Sequence, residues 1–276
     1  MALYLTGMEL LPQVLILFAT GLLGGLLAGL LGIGGGIVIV PVLDTILGYQ
    51  GVDPSIRMHI AVATSLATII PTSIASTRAH ARRQSVDFAL VRRWGPYIFM
   101  GSLLGTFAAA KVHSSVLSGV FGVMALMVAV NMLLPALARP LAKEVPRGPV
   151  ANMIPTGIGF FSSMMGIGGG TFTVAVMTMC SQVIHLAVGT AALFGLLISL
   201  PGTLGFIITG IGNDLLPRGN IGFISLLGFI LIVPGTVLAA PLGAKMAHAL
   251  DKRRLGQVFG FFLLLLAVRM FYRSIN

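Results

Sequence analysis

Long apolar segments alternate with short polar loops along almost the whole chain. The apolar segments lie near residues 10–31, 59–77, 94–112, 116–137, 185–211, 221–244 and 255–272. Each approaches the ~20 residues that an α-helix needs to cross a bilayer. None alternates between apolar and polar residues, as the strands of a membrane β-barrel do. The pattern therefore predicts an all-α membrane protein.

The composition agrees with this prediction. Hydrophobic residues make up 57% of the 276 residues and charged residues 9%, and the mean hydropathy is +1.02. Such a chain lacks the charged surface of a soluble domain. The first thirteen residues contain no Lys or Arg. The basic region of a cleavable signal peptide is thus missing, and we expect the first helix to be retained.

The charged and sulfur-containing residues exclude several classes of protein. The net charge is +10, but there is no basic stripe with interleaved aromatic residues, and basic residues beside membrane helices are the usual topology signal, so we expect no nucleic-acid partner. The seven acidic residues lie mostly in loops, and Cys180 is the one cysteine. These residues assemble no metal cluster or catalytic constellation, so we expect neither an enzyme nor a cofactor.

The motif GIGGG occurs twice, at residues 32–36 and 166–170. Each glycine costs roughly 0.5–1 kcal/mol relative to Ala inside a helix, so four in five positions predict that the backbone leaves the helix. We expect two hairpins in which 10–31 is followed by 36–48, and 150–165 by 171–181. The return segments are shorter than the ~20 residues of a full span, so both crossing and re-entrant geometries stay open. The total is eight to ten helical segments.

The two motifs belong to an internal repeat. HIAVAT at 59–64 matches HLAVGT at 185–190, and GSLLGTFAAAKVH at 101–113 matches GTVLAAPLGAKMAH at 235–248. These matches follow the two motifs in the same order. They predict a first transmembrane repeat over 1–138 and a second over 150–276, joined by a basic linker over 139–149.

Charge predicts that the repeats have opposite orientations. One loop of the first half carries Arg78, Arg82, Arg83, Arg92 and Arg93, whereas its counterpart, 213–220, carries only Arg218. The next pair of loops reverses the bias, because the first-half loop carries only Lys111, whereas its counterpart carries Lys245, Lys252, Arg253 and Arg254. Short cytoplasmic loops collect Lys and Arg. We therefore place 78–93, 139–147 and 245–254 in the cytoplasm and both termini outside.

Inverted repeats with interrupted helices are the usual architecture of secondary transporters. A half-helix that begins at Gly36 or Gly170 presents unpaired N–H groups and a positive dipole end, which suits a small anion. Close helix packing is the alternative role for the glycines, since Gly21, Gly25 and Gly29 already show the small-xxx-small pattern. Neither motif has the Lys–Ser/Thr pair of a nucleotide-binding loop.

The candidate substrate-binding residues are the glycines of the breaks and nearby hydroxyls: Gly34, Gly35, Gly36, Thr64, Ser65, Gly168, Gly169, Gly170, Thr171 and Thr190. Such hydroxyls also commonly bond the backbone of their own helix. Asp44, His59 and His185 are candidates for proton coupling. However, Thr178 takes the place of Asp44 in the second half, and both histidines can be interfacial residues.

Three segments resemble the TauE/SafE family of sulfite exporters: GLLGGLLAGLLGIGGGIVIVPVL at 21–43, AVATSLA at 61–67, and the second GIGGG with HLAVGTA. The resemblance implies a multi-pass transporter of the bacterial inner membrane for small sulfur-containing anions such as sulfite or sulfoacetate. It carries over the six glycines at 34–36 and 168–170, and Thr64 with Ser65. The chain departs from the pattern in its second half, where Ala175 stands at the position equivalent to Pro41.

We expect a secondary transporter that exports the anion, holds it at the paired breaks and works by alternating access in the lipid bilayer. A transporter of another small organic anion, such as a carboxylate, and a structural membrane subunit are the alternatives. The substrate, the direction of transport, coupling to a proton or sodium gradient, and assembly into a homo-oligomer stay open.

Overall fold

The computed structural model describes residues 7–32, 34–134, 142, 145, 146, 148–247 and 252–275. In these residues the chain forms ten α-helices: α1 (Gly7–Leu31), α2 (Gly36–Tyr49), α3 (Pro54–Ala81), α4 (Phe88–Lys111), α5 (Ser114–Leu133), α6 (Met153–Met165), α7 (Gly170–Met179), α8 (Ile184–Gly210), α9 (Leu226–Met246) and α10 (Lys252–Ile275). The predicted all-α fold with eight to ten helical segments is confirmed. Within the described chain, five helices are long and apolar enough to cross a membrane: Leu11–Leu31, α3, α5, α8 and α9.

One predicted segment boundary is wrong. Residues 221–225 are not helical, because Asn220–Ile221 (β1) and Ile224–Ser225 (β2) pair as a short antiparallel hairpin. The Ser225 hydroxyl then accepts the N–H of Gly228 at 3.2 Å and starts α9. The apolar segment near 116–137 is helical as far as Leu133, and its last residues, 135–137, lie outside the described residues.

Polar caps define the starts of α3 and α4. The Asp53 carboxylate accepts hydrogen bonds from both the hydroxyl and the N–H of Ser55, and these bonds hold the pKa of Asp53 below its usual value. Pro54 occupies the first helical position, where a missing N–H costs nothing. Asp87 caps α4 in the same way by accepting the N–H of Leu90 at 2.9 Å.

Glycines bring α1 and α9 into backbone contact. A Cβ atom added at Gly25 would lie 2.6 Å from the Cα of Thr236. Cβ atoms added at Gly21 and Gly29 would likewise overlap the backbone carbonyl oxygens of Ile232 and Ala240. The paired residue numbers rise together, so the two helices are parallel. The packing role expected of these three glycines is confirmed.

The helices α4 and α6 pack in the corresponding way. A Cβ at Gly101 would lie 3.0 Å from the Cα of Thr156, and one at Gly105 would lie 2.8 Å from the carbonyl carbon of Phe160. The first helix of each half thus lies along the fourth helix of the other half. Two-fold related repeats would exchange partners in this way, and the boundaries 1–138 and 150–276 stay a prediction. Most of the linker 139–149 lies outside the described residues.

The most buried spanning helices, α3 and α8, cross at the centre of the bundle. They are antiparallel, since Leu66, Ser73 and His80 of α3 lie against Gly202, Gly195 and Gly189 of α8. Glycine on one helix faces a larger side chain on the other, so the two backbones approach closely. This crossing is the framework around which both helix breaks are placed.

The loops predicted to share one side of the membrane meet at one end of the bundle. The Arg83 guanidinium donates to the carbonyl of Ala244 at 3.0 Å. Arg93 donates to the carbonyls of Val145 and Pro146 at 3.5 and 3.3 Å. We call this the arginine-rich end. Its cytoplasmic location, and that of both termini outside, stay predictions, and residues 1–6 and 276 lie outside the described chain.

Cysteine labelling tests this orientation. In a Cys180→Ser background, we expect Asp214→Cys to react with an impermeant maleimide on intact cells and Arg82→Cys to react only after the membrane is opened. Both positions are exposed, and they follow the C-terminal ends of α8 and α3, respectively. Because these two helices are antiparallel, the two loops lie at opposite ends of the bundle. Labelling of Arg82→Cys from outside would contradict the charge argument.

A second variant pair tests the helix packing. We expect Gly25→Ala to lower the melting temperature of the detergent-purified protein, because the added methyl group meets the backbone of α9 and overpacking costs about 1–3 kcal/mol. Gly157→Ala is the matched control, since a Cβ there would meet nothing within 4 Å. Equal melting temperatures for the two variants would contradict the close α1–α9 contact.

Candidate functional site

Both GIGGG motifs break a helix, as predicted. The first break separates α1 from α2, and the second separates α6 from α7. The N-cap residues Gly35 and Gly169 have φ values of 77° and 67°. This left-handed region is costly for residues with a Cβ and open to glycine. The glycines therefore let the chain reverse direction within about one turn of helix.

The two breaks touch one another. A Cβ added at Gly34 would lie 3.1 Å from the Cα of Gly168, and one at Gly36 would overlap the carbonyl oxygen of Gly166. Ile69, near the α3–α8 crossing, contacts both Gly34 and Gly168. The structure therefore brings together, at the centre of the bundle, two motifs that are far apart in the sequence.

The half-helices that follow the breaks run in opposite directions. From the break, α2 runs toward Asp44, which lies beside Arg57 and Arg273. The other half-helix, α7, ends at Met179, whose carbonyl accepts the N–H of Ala142 in the linker. Neither N-cap has a side-chain hydrogen bond. Two positive helix ends, each about half an elementary charge, thus converge at the junction.

Ser65 is the candidate hydroxyl that contacts the breaks directly. Its side chain is buried, and its hydroxyl donates to the carbonyl of Gly166 at 2.7 Å. The same oxygen would lie 2.8 Å from a Cβ added at Gly36. Ser65 therefore joins α3 to both helix breaks at once.

Thr64 and Thr190 have a different arrangement. The Thr64 hydroxyl accepts the N–H of Ser225, and the Thr190 hydroxyl accepts the N–H of Asp87, each at 2.9 Å. Ser225 and Asp87 are the N-caps of α9 and α4. Each threonine thus supports the start of a helix in the other half, and the two form an equivalent pair. Their role in substrate binding stays a prediction.

Several hydroxyls surround the second break, and two of them, those of Ser162 and Thr173, were not among the candidates predicted from the sequence. Ser162 and Thr173 are fully buried, and their hydroxyls, like that of the candidate Thr171, have no hydrogen-bond partner among the described residues. Aligning the two motifs places Ala28, Ile39 and Ile37 at the corresponding positions of the first half. This difference between the repeats was a visible sign that the two breaks are chemically unequal.

Asp44 lies in the second half of α2, eight residues after Gly36. Its side chain is fully buried and pairs with Arg57, at 3.7 Å, and with Arg273. These pairs link α2 to the start of α3 and the end of α10. The counterpart, Thr178, instead donates to carbonyls of its own helix. Asp44 therefore anchors the first half-helix, and its role in proton coupling stays a prediction.

The histidine candidates also lie near helix ends. His59 Nε2 lies 3.1 and 3.2 Å from the carbonyl oxygens of Ala109 and Val112, so this nitrogen must donate. The ring stacks on Phe223 with centroids 5.2 Å apart. His185 is half-buried near the start of α8. In the part of the chain that the structure describes, no three His, Cys, Asp or Glu side chains group closely enough to hold a metal ion.

A cavity of about 610 Å³ opens at the arginine-rich end. Its polar lining includes Asp87, Arg93, Asn152 and Gln182. It therefore lies where α4 and α6 begin, next to the Asp87–Thr190 hydrogen bond.

In the described part of the chain, ten helices, five of them able to span a bilayer, and two helix breaks that meet at the bundle centre define a multi-pass α-helical membrane protein. Residues 17–270 match the family model described as Sulfite exporter TauE/SafE. The chain belongs to the TauE/SafE family and is a membrane transporter protein, as its resemblance indicated.

Curated relatives cover nearly the whole chain. A probable membrane transporter protein of Haemophilus influenzae is 32% identical over 261 residues, which cover 94% of this chain and 98% of that protein. The probable membrane transporter protein YunE of Bacillus subtilis is 26% identical, with 94% and 98% covered. A probable membrane transporter protein of Methanocaldococcus jannaschii is 26% identical, with 90% and 91% covered. No solved structure matches the chain.

The anchoring role of Asp44 can be tested by substitution. We expect Asp44→Asn to lower the melting temperature, because it leaves two guanidinium groups without their carboxylate, and breaking a buried ion pair costs about 3–5 kcal/mol. The arginine side chains are each 21% exposed, which places the effect toward the lower value. Asp214→Asn, at an exposed loop position, is the control. An unchanged melting temperature with loss of gradient-driven transport would instead support proton coupling.

Proposed function

We propose that this protein is a secondary transporter of small sulfur-containing anions, such as sulfite or short organosulfonates. The anion binds at the paired helix breaks, and transport proceeds by alternating access. The observation that carries this proposal is the convergence of two uncapped, oppositely directed half-helix N-termini at the centre of the bundle. The family name supports a sulfur oxyanion as the substrate.

The charge distribution supports binding by helix ends. An anion cannot enter a low-dielectric interior without compensating groups. Among the described residues, Arg57 and Arg273 lie at helix ends and are paired with Asp44. The breaks offer backbone N–H groups and two helix dipoles instead. Sulfite and sulfonate each carry three oxygens that can accept several such hydrogen bonds at once.

The close contact of Gly34 with Gly168 constrains the transport cycle. No space for an anion exists directly between these two residues, since a single methyl group already meets the opposite backbone. The ligand therefore binds beside this contact, or the breaks separate when it binds. In either case, the α3–α8 crossing is the axis about which the two halves would rearrange.

The cavity at the arginine-rich end supports export. Arg93 and the neighbouring arginines would attract anions to this end, which we expect to be cytoplasmic from the charge bias. We therefore propose that the protein lies in the bacterial inner membrane and takes up its substrate from the cytoplasm. A proton or sodium gradient would supply the energy for net transport.

Substrate and site are tested together by counterflow in proteoliposomes. We expect sulfite and sulfoacetate to exchange faster than acetate, and choline to give no exchange. Preferential exchange of acetate would replace the sulfur anion with a carboxylate, and preferential exchange of choline would contradict an anion site.

Gly168→Ala tests the glycine breaks. An added Cβ would lie 3.3 Å from the Cα of Gly195 and 3.4 Å from that of Gly34, so the fold can adjust while access to the backbone N–H groups narrows. We expect sulfite exchange to fall about ten-fold or more, the effect of losing one charge-assisted hydrogen bond. This position is preferable to Gly35, where a positive φ and the backbone of Gly24 make any substitution strained.

Gly157→Ala is again the matched control, because it adds the same methyl group where nothing is in contact. It should retain wild-type exchange. Wild-type exchange in Gly168→Ala, with a lowered melting temperature, would return these glycines to a packing role.

A further inference from the structure

The two helix breaks differ in the groups that surround them. At the first break, Ile37 and Ile39 are fully buried apolar residues, and the Ser65 hydroxyl is already bonded to Gly166. At the second break, Ser162 and Thr173 are fully buried and their hydroxyls have no partner among the described residues. The motifs are identical, so this difference is carried entirely by the flanking residues.

Buried hydroxyls without a partner require an explanation. A hydroxyl that leaves water without gaining a hydrogen bond destabilises the folded state. Native proteins therefore seldom keep such a group unless a ligand, an ion or a water molecule bonds to it. Two of them beside one broken helix indicate a binding partner that arrives from outside the chain.

Both hydroxyls lie near the positive end of α7, Ser162 on the preceding helix α6 and Thr173 on α7 itself. The Ser162 Oγ would lie 3.2 Å from a Cβ added at Gly169, the N-cap residue of this helix. Thr173 follows one turn later, and its N–H donates to the Gly169 carbonyl at 3.0 Å. The buried residues of α7 are Gly170, Thr173 and Met177. Thr173 therefore lies on the face that packs into the bundle.

We propose that the hydroxyls of Ser162 and Thr173 bind the oxygen atoms of the transported anion, so that the substrate site is centred on the second break. This inference rests on the function proposed above and makes the site asymmetric. The first break has the supporting role, because α2 is buried along most of its length and is anchored through Asp44. Each hydroxyl would donate to an oxyanion beside the uncapped N-terminus of α7.

Hydroxyl deletions at matched positions test the proposal. The test variants are Ser162→Ala and Thr173→Val. The controls are Ser163→Ala and Thr178→Val, which remove hydroxyls from the same two helices that already donate to the carbonyls of Phe160 and of Val174 and Ala175. Binding of sulfite and of sulfoacetate is measured by calorimetry on the detergent-purified, full-length protein.

We expect each test variant to raise the Kd for sulfite about ten-fold or more, because each loses one hydrogen bond to a charged ligand. The controls should stay within about two-fold of wild type, a change of less than half a kcal/mol. Thr173→Ser keeps the hydroxyl and should restore most of the affinity. Without ligand, the melting temperature of Ser162→Ala should equal or exceed that of wild type, because no intramolecular bond is lost.

The other outcomes separate this inference from the proposed function. Wild-type affinity in both test variants, with weakened binding in Gly168→Ala, would overturn the role of the hydroxyls and leave the anion site at the breaks. Equal losses in test and control variants would show a packing effect and also overturn it. If the wild-type protein binds neither sulfite nor sulfoacetate, the proposed function fails first.

Discussion

An interrupted helix inside a bilayer must be enclosed by protein, because lipid offers no partner to the backbone N–H and C=O groups that the interruption exposes. The architecture follows from that constraint. The breaks at Gly35 and Gly169 lie against each other and against α3 and α8. Around them, α1 packs on α9 and α4 packs on α6 through glycines that remove the space between backbones. The close packing of these helices therefore encloses the breaks and shields their backbone groups from lipid.

Much of the fold follows from local sequence. The apolar segments and GIGGG motifs predict the helices and their interruptions, since length, hydropathy and the conformational freedom of glycine act locally. The error occurs where local patterns compete. Ile221 continues an apolar segment, yet it pairs with Ile224 in a hairpin because Ser225 caps the following helix. An apolar residue in a turn cannot be distinguished from one in a helix by hydropathy alone.

The backbone of the candidate site was predictable from the sequence, and the contacts of its side chains were less so. The sequence indicates that Thr64, Ser65 and Thr190 are polar groups in apolar helices, but not which atoms they meet. In the structure, Ser65 contacts the second break, and the two threonines accept hydrogen bonds from the N-cap residues of α9 and α4. Similarly, the arginine partners of Asp44 come from α3 and α10. Only long-range packing determines these partners.

A transporter must release the anion that it binds, and this requirement favours helix ends over arginine side chains at the breaks. A buried guanidinium would bind a sulfur oxyanion through strong paired hydrogen bonds, and without the ligand it would leave an uncompensated charge in the membrane. A half-helix end carries only a partial charge, fixed in the backbone. In the proposed site, neutral hydroxyls such as those of Ser162 and Thr173 would distinguish oxyanions by geometry, while the empty site would cost less than a buried charge.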